Sequence, residues 1–189
     1  MFRTLPKTRN FSEAQRLAMI LAFAAITMIF AQIKIPLQPV PFTMQPLAVL
    51  LAGMVLGGRD GALALATYVG FIALGLPVDA NNMGAAALFS PTGGYLIGFV
   101  AAAGVVGLIV ENSANRFWLR ALAGIVGIGV IYLFGIAVLM NVAEMSFGAA
   151  WAAGGQPFLG LDLVKAVIAA GLAEGTRRLL LQTLLPPQQ

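Results

Sequence analysis

Residues 46–70 read PLAVLLAGMVLGGRDGALALATYVG, in which two apolar segments flank a glycine-rich turn that carries Arg59 and Asp60. The first segment, about residues 46–58, is short for a membrane crossing, which takes roughly 20 apolar residues. Whether it crosses decides on which side of a membrane Arg59 and every later loop lie. The interpretation of the whole chain therefore depends on this stretch.

The composition of the chain indicates an integral membrane protein. Of its 189 residues, 60% are hydrophobic and 10% are charged, whereas soluble domains carry about 25% charged residues. So few charges cannot cover a soluble surface, and the length leaves room for roughly six helices of about 20 residues. We therefore predict one membrane domain, residues 1–189, without a separate soluble domain.

Charged and turn-forming residues divide the chain into six apolar segments. We predict an all-α integral membrane protein with six transmembrane helices, at about residues 16–33, 46–58, 61–76, 93–110, 121–142 and 160–180. The first is interpreted as a retained span rather than a signal peptide, because no clear small-residue cleavage site follows it. Pro46 near the start of the second is compatible with a helix, because proline is tolerated in the first turn.

The basic residues determine the orientation of this six-span arrangement. Cytoplasmic loops are enriched in lysine and arginine, and one side of the arrangement holds Arg3, Lys7, Arg9, Arg16, Arg59, Arg116, Arg120, Arg177 and Arg178. The only basic residue on the other side, outside the spans, is Lys34. Both termini are therefore predicted to be cytoplasmic. A second segment that did not cross would break this pattern, because Arg59 would then lie outside.

Three long stretches lie on the predicted outer side, at residues 34–46, 77–92 and 143–160. The first forms a proline-rich extracytoplasmic loop after the first helix, because its proline density interrupts a helix. Long loops of this kind often carry binding function. The pattern therefore predicts recognition of a ligand on the outer face.

Asp162 and Lys165 lie inside the sixth apolar segment, where charges are costly. In a helix, three residues give a rise of about 4.5 Å and place both side chains on one face. With Asp162 in the first turn, both side chains would point toward the outer loops. An intramembrane ionisable pair commonly marks a substrate or ion site. The alternative is an interfacial pair in which Lys165 extends to the lipid headgroups.

The second outer loop and the helix after it offer further candidates. Asn81 and Asn82 carry amide donors and acceptors that suit a neutral polar ligand, although asparagine is also an ordinary turn residue. Tyr95 follows a Gly-Gly turn near the predicted interface, where an aromatic belt is the simpler interpretation.

The first outer loop contributes Thr43 and Gln45 beside Phe42. Their hydroxyl and amide groups are candidate ligand contacts. The alternative is that they satisfy backbone groups at the start of a helix that proline interrupts.

Ala14, Ala18 and Ala22 recur at four-residue spacing near the cytoplasmic end of the first span. Small residues at this spacing let two helices approach closely. The spacing predicts either internal packing or a docking face for another membrane protein.

Several function classes are excluded or disfavoured by what the sequence lacks. It contains no cysteine and no histidine, which removes thiol chemistry and the commonest metal ligand. It has no phosphate-binding loop motif and no cluster of catalytic groups, so we predict no enzyme activity, no cofactor and no metal site. Its basic residues lie at segment ends rather than along a stripe, which argues against nucleic-acid binding.

The sequence closely resembles the BioY family in three motifs that occur in the same order and six-span layout. They are the proline-rich run beginning VPFTMQP at residue 40, SPTGGYLIGF at 90–99 and D-x-x-K at Asp162 and Lys165. The resemblance implies the biotin-specific S-component of an energy-coupling factor transporter. It also implies three partner proteins, a transmembrane T-component and two cytoplasmic ATPases. The lipid bilayer surrounds the chain itself and the T-component.

The resemblance also implies roles for individual residues. Asp162 and Lys165 match the family's biotin contacts, and Asn82 matches its loop asparagine best, with Asn81 as the competing match. Biotin would present its carboxylate to Lys165 and its ureido N–H groups to Asp162 and an asparagine. A donor for the ureido oxygen would come from an asparagine amide or from Thr43.

The apolar part of biotin needs an apolar wall, for which Phe42, Phe89 and Tyr95 are the candidates. The predicted function is thus high-affinity biotin capture and uptake in a bacterial inner membrane. The alternative is a self-sufficient small carrier or channel for biotin or another small carboxylate, working alone as a possible homo-oligomer.

Overall fold

The structure, a computed structural model, describes residues 11–112 and 116–184. It is mostly helical, as predicted, with one short hairpin, one 3-10 helix and the connecting loops. The α-helices are α1 Glu13–Gln32, α2 Gln45–Leu56, α3 Gly58–Ala73, α4 Gly93–Asn112, α5 Phe117–Val142, α6 Phe147–Gly154 and α7 Gln156–Leu184. The predicted spans correspond to α1–α5 and α7.

Helix α1 begins with a capping box, in which Ser12 accepts from the backbone of Gln15 and the Gln15 side chain accepts from the backbone of Ser12. This arrangement satisfies backbone groups that a helix start leaves unpaired. Among the described residues, α1, α4 and α5 are long and apolar enough to cross a membrane. The chain is therefore a membrane protein.

The proline-rich segment after α1 is more ordered than a simple loop. Strands β1 Lys34–Ile35 and β2 Phe42–Thr43 pair in antiparallel fashion, with Lys34 opposite Thr43. The hairpin returns the chain to the end of α1 and places β2 directly before α2. The all-α prediction thus needs this small correction.

Helix α2 lies in the interior of the bundle, with all of its residues except Leu51 buried. It ends at Gly57, whose φ of 86° and ψ of 179° turn the chain directly into α3. That combination of angles is essentially restricted to glycine. The backbone N–H of Gly58 then donates to the carboxylate of Glu111 on α4, over 2.9 Å.

Helices α4 and α5 pack closely through glycines. A side chain at Gly94 would bring its first carbon within 2.3 Å of the Phe134 carbonyl, and one at Gly98 would lie 3.1 Å from the Ile131 carbonyl. These two positions therefore serve helix packing, as small residues four apart commonly do.

The third outer stretch, predicted as a loop over residues 143–160, contains a helix. Ser146 accepts a hydrogen bond from the backbone of Ala149 and starts α6. Gly155 separates α6 from α7, which begins at Gln156 because Pro157 fits the first turn of a helix. Asp162 is therefore the seventh residue of α7. The sequence-based prediction that Asp162 lies in the first turn is wrong.

Polar contacts tie the helices together at one end of the bundle. Arg16 on α1 donates from Nε and Nη2 to both carboxylate oxygens of Asp60 on α3, over 3.0 and 2.7 Å. Arg120 on α5 forms an ion pair with Glu174 on α7. The starts of α2, α4 and α7 lie at the opposite end, together with the hairpin.

Candidate binding site

Helix α7 presents Asp162 and Lys165 as a buried ion pair. The Lys165 Nζ donates to Asp162 Oδ1 over 2.7 Å, and the two residues are only 3% and 4% exposed. Lys165 also donates to the backbone carbonyl of Thr43, over 2.7 Å. The ammonium group is thus held inside the protein and does not extend to the surface, contrary to the interfacial alternative.

An aromatic ring completes the surroundings of the lysine. The Lys165 Nζ lies 3.8 Å from the centroid of the Phe42 ring, which is close enough for a cation–π interaction. The Phe42 ring in turn contacts Phe158 on α7, with centroids 6.2 Å apart. Of the three ammonium N–H groups, two have hydrogen-bond acceptors among the described residues, which leaves one to bind a ligand.

The carboxylate of Asp162 is anchored from a second helix. Tyr132 on α5 donates from its hydroxyl to Asp162 Oδ2 over 2.6 Å. The Tyr132 ring meets the Trp151 ring of α6 edge-on, with centroids 5.7 Å apart. Helices α5, α6 and α7 are thereby joined at the pair, and Asp162 orients Lys165.

These groups line one pocket at the end of the bundle where the hairpin lies. It is bounded by Val40, Pro41, Phe42, Thr43, Gln45, Pro46, Asp79, Ala80, Thr92, Tyr95, Leu96, Phe99, Ile131, Tyr132, Phe158, Asp162 and Lys165. Most of these side chains are apolar or aromatic and a few are polar, which is typical of small-molecule sites. Six of the predicted residues are among them: Phe42, Thr43, Gln45, Tyr95, Asp162 and Lys165.

Thr43 and Gln45 form an internal hydrogen-bond network at the pocket. The Thr43 hydroxyl donates to Gln45 Oε1 over 3.0 Å and accepts from the Gln45 backbone N–H. Gln45 Nε2 donates to the hydroxyl of the fully buried Tyr68. Thr43 thus satisfies a backbone group at the start of α2, which is the alternative to a direct ligand contact. The network also holds the Thr43 carbonyl in place as an acceptor for Lys165.

Tyr95 lines the pocket and does not belong to an aromatic belt at the membrane interface. It is 7% exposed, and its hydroxyl donates to the carbonyl of Gly154 over 2.9 Å. A first side-chain carbon at Gly135 would lie 2.4 Å from the Tyr95 ring, so glycine on α5 makes room for this ring.

The structure does not bring Asn81, Asn82 or Phe89 to the pocket. Both asparagines are exposed, and Asn82 has a φ of 57°, a left-handed conformation that asparagine tolerates. Phe89 ends the 3-10 helix Gly84–Phe89 and is 82% exposed. Here the turn interpretation of the asparagines matches the geometry, and Phe89 does not form part of the apolar wall.

Three polar lining residues, Tyr132, Asp79 and Thr92, were not among the sequence candidates. Tyr132 lies 30 residues before Asp162, and no sequence pattern links the two positions. Asp79 gave a signal that could have been used, because it is the only charged residue in the stretch 77–92. The aromatic wall also contains Phe99 and Phe158, whose positions depend on helix packing.

The three alanines of α1 lie on its exposed face. Ala14, Ala18 and Ala22 are all exposed, whereas Ala24 and Thr27 face the bundle. Within the described structure, the three alanines are therefore not used for internal packing.

The fold and the pocket define a class, a helical membrane protein with a pocket whose wall contains a buried ion pair. The family model for the BioY family matches residues 5–182. The chain belongs to the BioY family, and the resemblance seen in its motifs is thus confirmed.

Curated relatives match most of the length of the chain. It is 45% identical to "Biotin transporter BioY" of Thermotoga maritima, over 83% of this chain and 92% of the relative. It is 40% identical to "Biotin transporter BioY" of Rhizobium etli, over 78% and 85% of the two chains. The relatives are transporters by name, not enzymes.

One solved structure has a similar fold. It is described as the S-component for biotin from an ECF-type ABC transporter and was determined at 2.1 Å. The TM-score is 0.68, with 88% of this chain and 92% of that chain covered at 22% identity. At this identity the likeness shows a shared fold.

Proposed function

We propose that this chain captures biotin with high affinity and serves as the substrate-binding subunit of an ECF-type transporter. The observation that carries the proposal is Lys165, a buried cation that lines an apolar pocket in a chain whose family members are named biotin transporters. A buried carboxylate needs a cation or several donors, and Lys165 retains one N–H for it.

The pocket suits both ends of such a ligand. The carboxylate of biotin lies against Lys165, held in place by Asp162 and the Thr43 carbonyl. The fused rings and the alkyl chain lie against the aromatic side chains of Phe42, Tyr95, Phe99 and Phe158. The apolar contact contributes free energy, while the ion pair sets the orientation.

We further propose six spans with both termini in the cytoplasm of a bacterial cell. Helix α2 is about 18 Å long and α3 about 24 Å, at 1.5 Å per residue, so neither spans about 30 Å of hydrocarbon alone. The buried position of α2 supports its placement as a span, because neighbouring helices rather than lipid surround it. The pocket then opens toward the outer face.

Release of biotin into the cell is assigned to partners. The S-component fold supports a complex with a transmembrane T-component and two cytoplasmic ATPases. The exposed alanines of α1 are the proposed docking face, because small side chains permit close approach of a partner helix.

Titration of the purified chain with biotin tests the binding function. Lys165→Met should weaken binding by about 100-fold or more, since breaking a buried charge pair costs about 3–5 kcal/mol. Arg59→Met removes a cation at an exposed position far from the pocket and should leave the affinity unchanged. Near-normal affinity of Lys165→Met would reject the assignment of this site.

Lys165→Met leaves the buried carboxylate of Asp162 without its cation, which destabilises the fold. A double variant separates this effect on folding from the effect on binding. Asp162→Asn combined with Lys165→Met removes both charges and should fold at least as well as the single variant. It should still bind biotin poorly, because the carboxylate of the ligand lacks its cation.

The alternative function, a self-sufficient carrier or channel, is tested by reconstitution of the chain alone in vesicles. Uptake of labelled biotin without the ATPase module would support it, including the possible homo-oligomer. Uptake that requires the module and ATP would support the S-component function.

A further inference from the structure

Asp79 is a buried carboxylate in the wall of the pocket. It lies in the loop between α3 and the 3-10 helix, is 2% exposed, and lines the same pocket as Lys165. Its Oδ2 accepts from the backbone N–H of Asn81 over 2.9 Å, and its Oδ1 accepts from that of Gly84 over 2.8 Å. The loop thus wraps around this side chain.

The position of Asp79 is also fixed from α1 and the hairpin. Gln32 Nε2 donates to the carbonyl of Asp79 over 3.2 Å, and Lys34 Nζ donates to the carbonyl of Ala80. Both contacts use backbone acceptors. They hold the loop in place without neutralising the carboxylate at close range.

Among residues 11–112 and 116–176, whose side chains the structure describes, no cation lies within salt-bridge distance of Asp79. Each carboxylate oxygen has about two acceptor sites, and one on each is occupied by a backbone N–H. The carboxylate therefore retains capacity for further donors, and burial makes an additional hydrogen bond favourable.

The two members of the ion pair on α7 lie side by side in the pocket wall. Lys165 Nζ and Asp162 Oδ1 are only 2.7 Å apart, whereas the carboxylate and the ureido ring of biotin are separated by an alkyl chain and a fused ring. A ligand whose carboxylate lies on Lys165 cannot place its ureido N–H groups on Asp162 at the same time. The acceptor for those groups must lie elsewhere in the wall.

Apart from Asp162, the other acceptor side chains in the wall are neutral, and each already takes part in a hydrogen bond. Thr43 and Gln45 bond to each other, and the Thr92 hydroxyl lies 2.8 Å from that of Ser90. We infer that Asp79 accepts a ureido N–H of a ligand whose carboxylate lies on Lys165 in the same pocket. This inference rests on the proposed biotin function and assigns to Asp79 the recognition of the ring.

The test compares Asp79→Asn with the unmodified protein on three ligands. These are biotin, biotinamide, which lacks the carboxylate charge, and biotin methylated at one ureido nitrogen, tested as both isomers. Asp79→Asn should weaken the binding of biotin and of biotinamide by the same factor. The expected factor is about 10–100-fold, because a charge-assisted hydrogen bond is lost. One methylated isomer should be bound equally by both proteins, because it cannot donate that bond.

Lys165→Met should give the complementary pattern, with a large loss for biotin and a small one for biotinamide. Glu144→Gln, which removes an exposed carboxylate in another outer loop, controls for long-range charge and should change none of the affinities.

An equal loss for every ligand on Asp79→Asn, including complete loss, would overturn the inference, because it would show that Asp79 only organises the loop. Unchanged affinity for biotin would overturn it as well. Failure of the unmodified protein to bind biotin would instead contradict the proposed function.

Discussion

Asp162 receives hydrogen bonds from two sides, from Lys165 on its own helix and from Tyr132 on α5. The two donors hold the carboxylate in one orientation, and the carboxylate in turn holds the ammonium group toward the pocket. The geometry therefore favours an orienting role for Asp162 in the proposed site, in which Lys165 is the residue that contacts the ligand.

Tyr132→Phe tests this arrangement, because it removes only the hydroxyl. A hydrogen bond to a charged group is worth about 1.5–3 kcal/mol, against about 0.5–1.5 for a neutral acceptor. Tyr95→Phe, on the same pocket, loses a bond to the neutral Gly154 carbonyl and is the matched control. Tyr132→Phe should lower the thermal unfolding midpoint in detergent more than Tyr95→Phe does. The reverse order would contradict the anchoring of Asp162 by Tyr132.

At the scale of elements, the turn between α2 and α3 is the most constrained point of the bundle. Gly57 adopts a glycine-specific conformation, and a first side-chain carbon there would lie 2.0 Å from Glu111 Oε1. The same oxygen accepts from Gly58, so the start of α3 depends on this contact.

Gly57→Ala should therefore destabilise the fold by about 1–3 kcal/mol from backbone strain alone, with the clash adding to it. Gly70→Ala in α3 is the control, because nothing lies within 4 Å of the added carbon, and it should be neutral or stabilising by up to about 1 kcal/mol. The free energy of unfolding, measured by denaturant titration in micelles, distinguishes the two. Equal effects would show that the turn tolerates a side chain.

Local hydrophobic patterns were enough to predict most helices but not every boundary. The start of α4 at Gly93 and the end of α5 at Val142 match the predictions, because glycine pairs and polar residues punctuate the sequence there. Helix α6 was missed because its alanine- and glycine-rich sequence resembles a loop. Its order depends on contacts such as Tyr132 with Trp151, which involve distant residues.

The same distinction applies to the pocket. Asp162 and Lys165 were predictable because charges in an apolar helix are conspicuous. Asn81 and Asn82 were chosen for their amide groups and for the resemblance to the family's loop asparagine, and Phe89 for its apolar ring. The structure places all three outside the pocket. Tyr132 could not be identified, since only the packing of α5 on α7 brings its hydroxyl to Asp162.

At the scale of the whole molecule, the pocket and the proposed docking face are well separated. The pocket lies where α2, α4 and α7 begin, whereas Ala14 and Ala18 lie in the first two turns of α1, at the other end of the bundle. Ligand binding and partner assembly should therefore respond independently to substitution.

Ala18→Trp should leave biotin affinity within about twofold but lower uptake with the module by about tenfold or more, because it blocks close helix approach. Ala137→Trp places the same side chain at an exposed position of α5 and should preserve both binding and uptake. Binding is measured by titration and uptake with labelled biotin in vesicles. Full uptake by Ala18→Trp would place the docking face elsewhere.

The short, buried helix α2 also has a consequence for biosynthesis. A segment of 12 residues is too short to be recognised by the translocon as an independent membrane-inserting unit. Because Gly57 joins it directly to α3, the two should leave the translocon together as a hairpin. Lengthening the turn with a flexible linker should therefore impair co-translational insertion more than the same linker placed between α3 and the 3-10 helix.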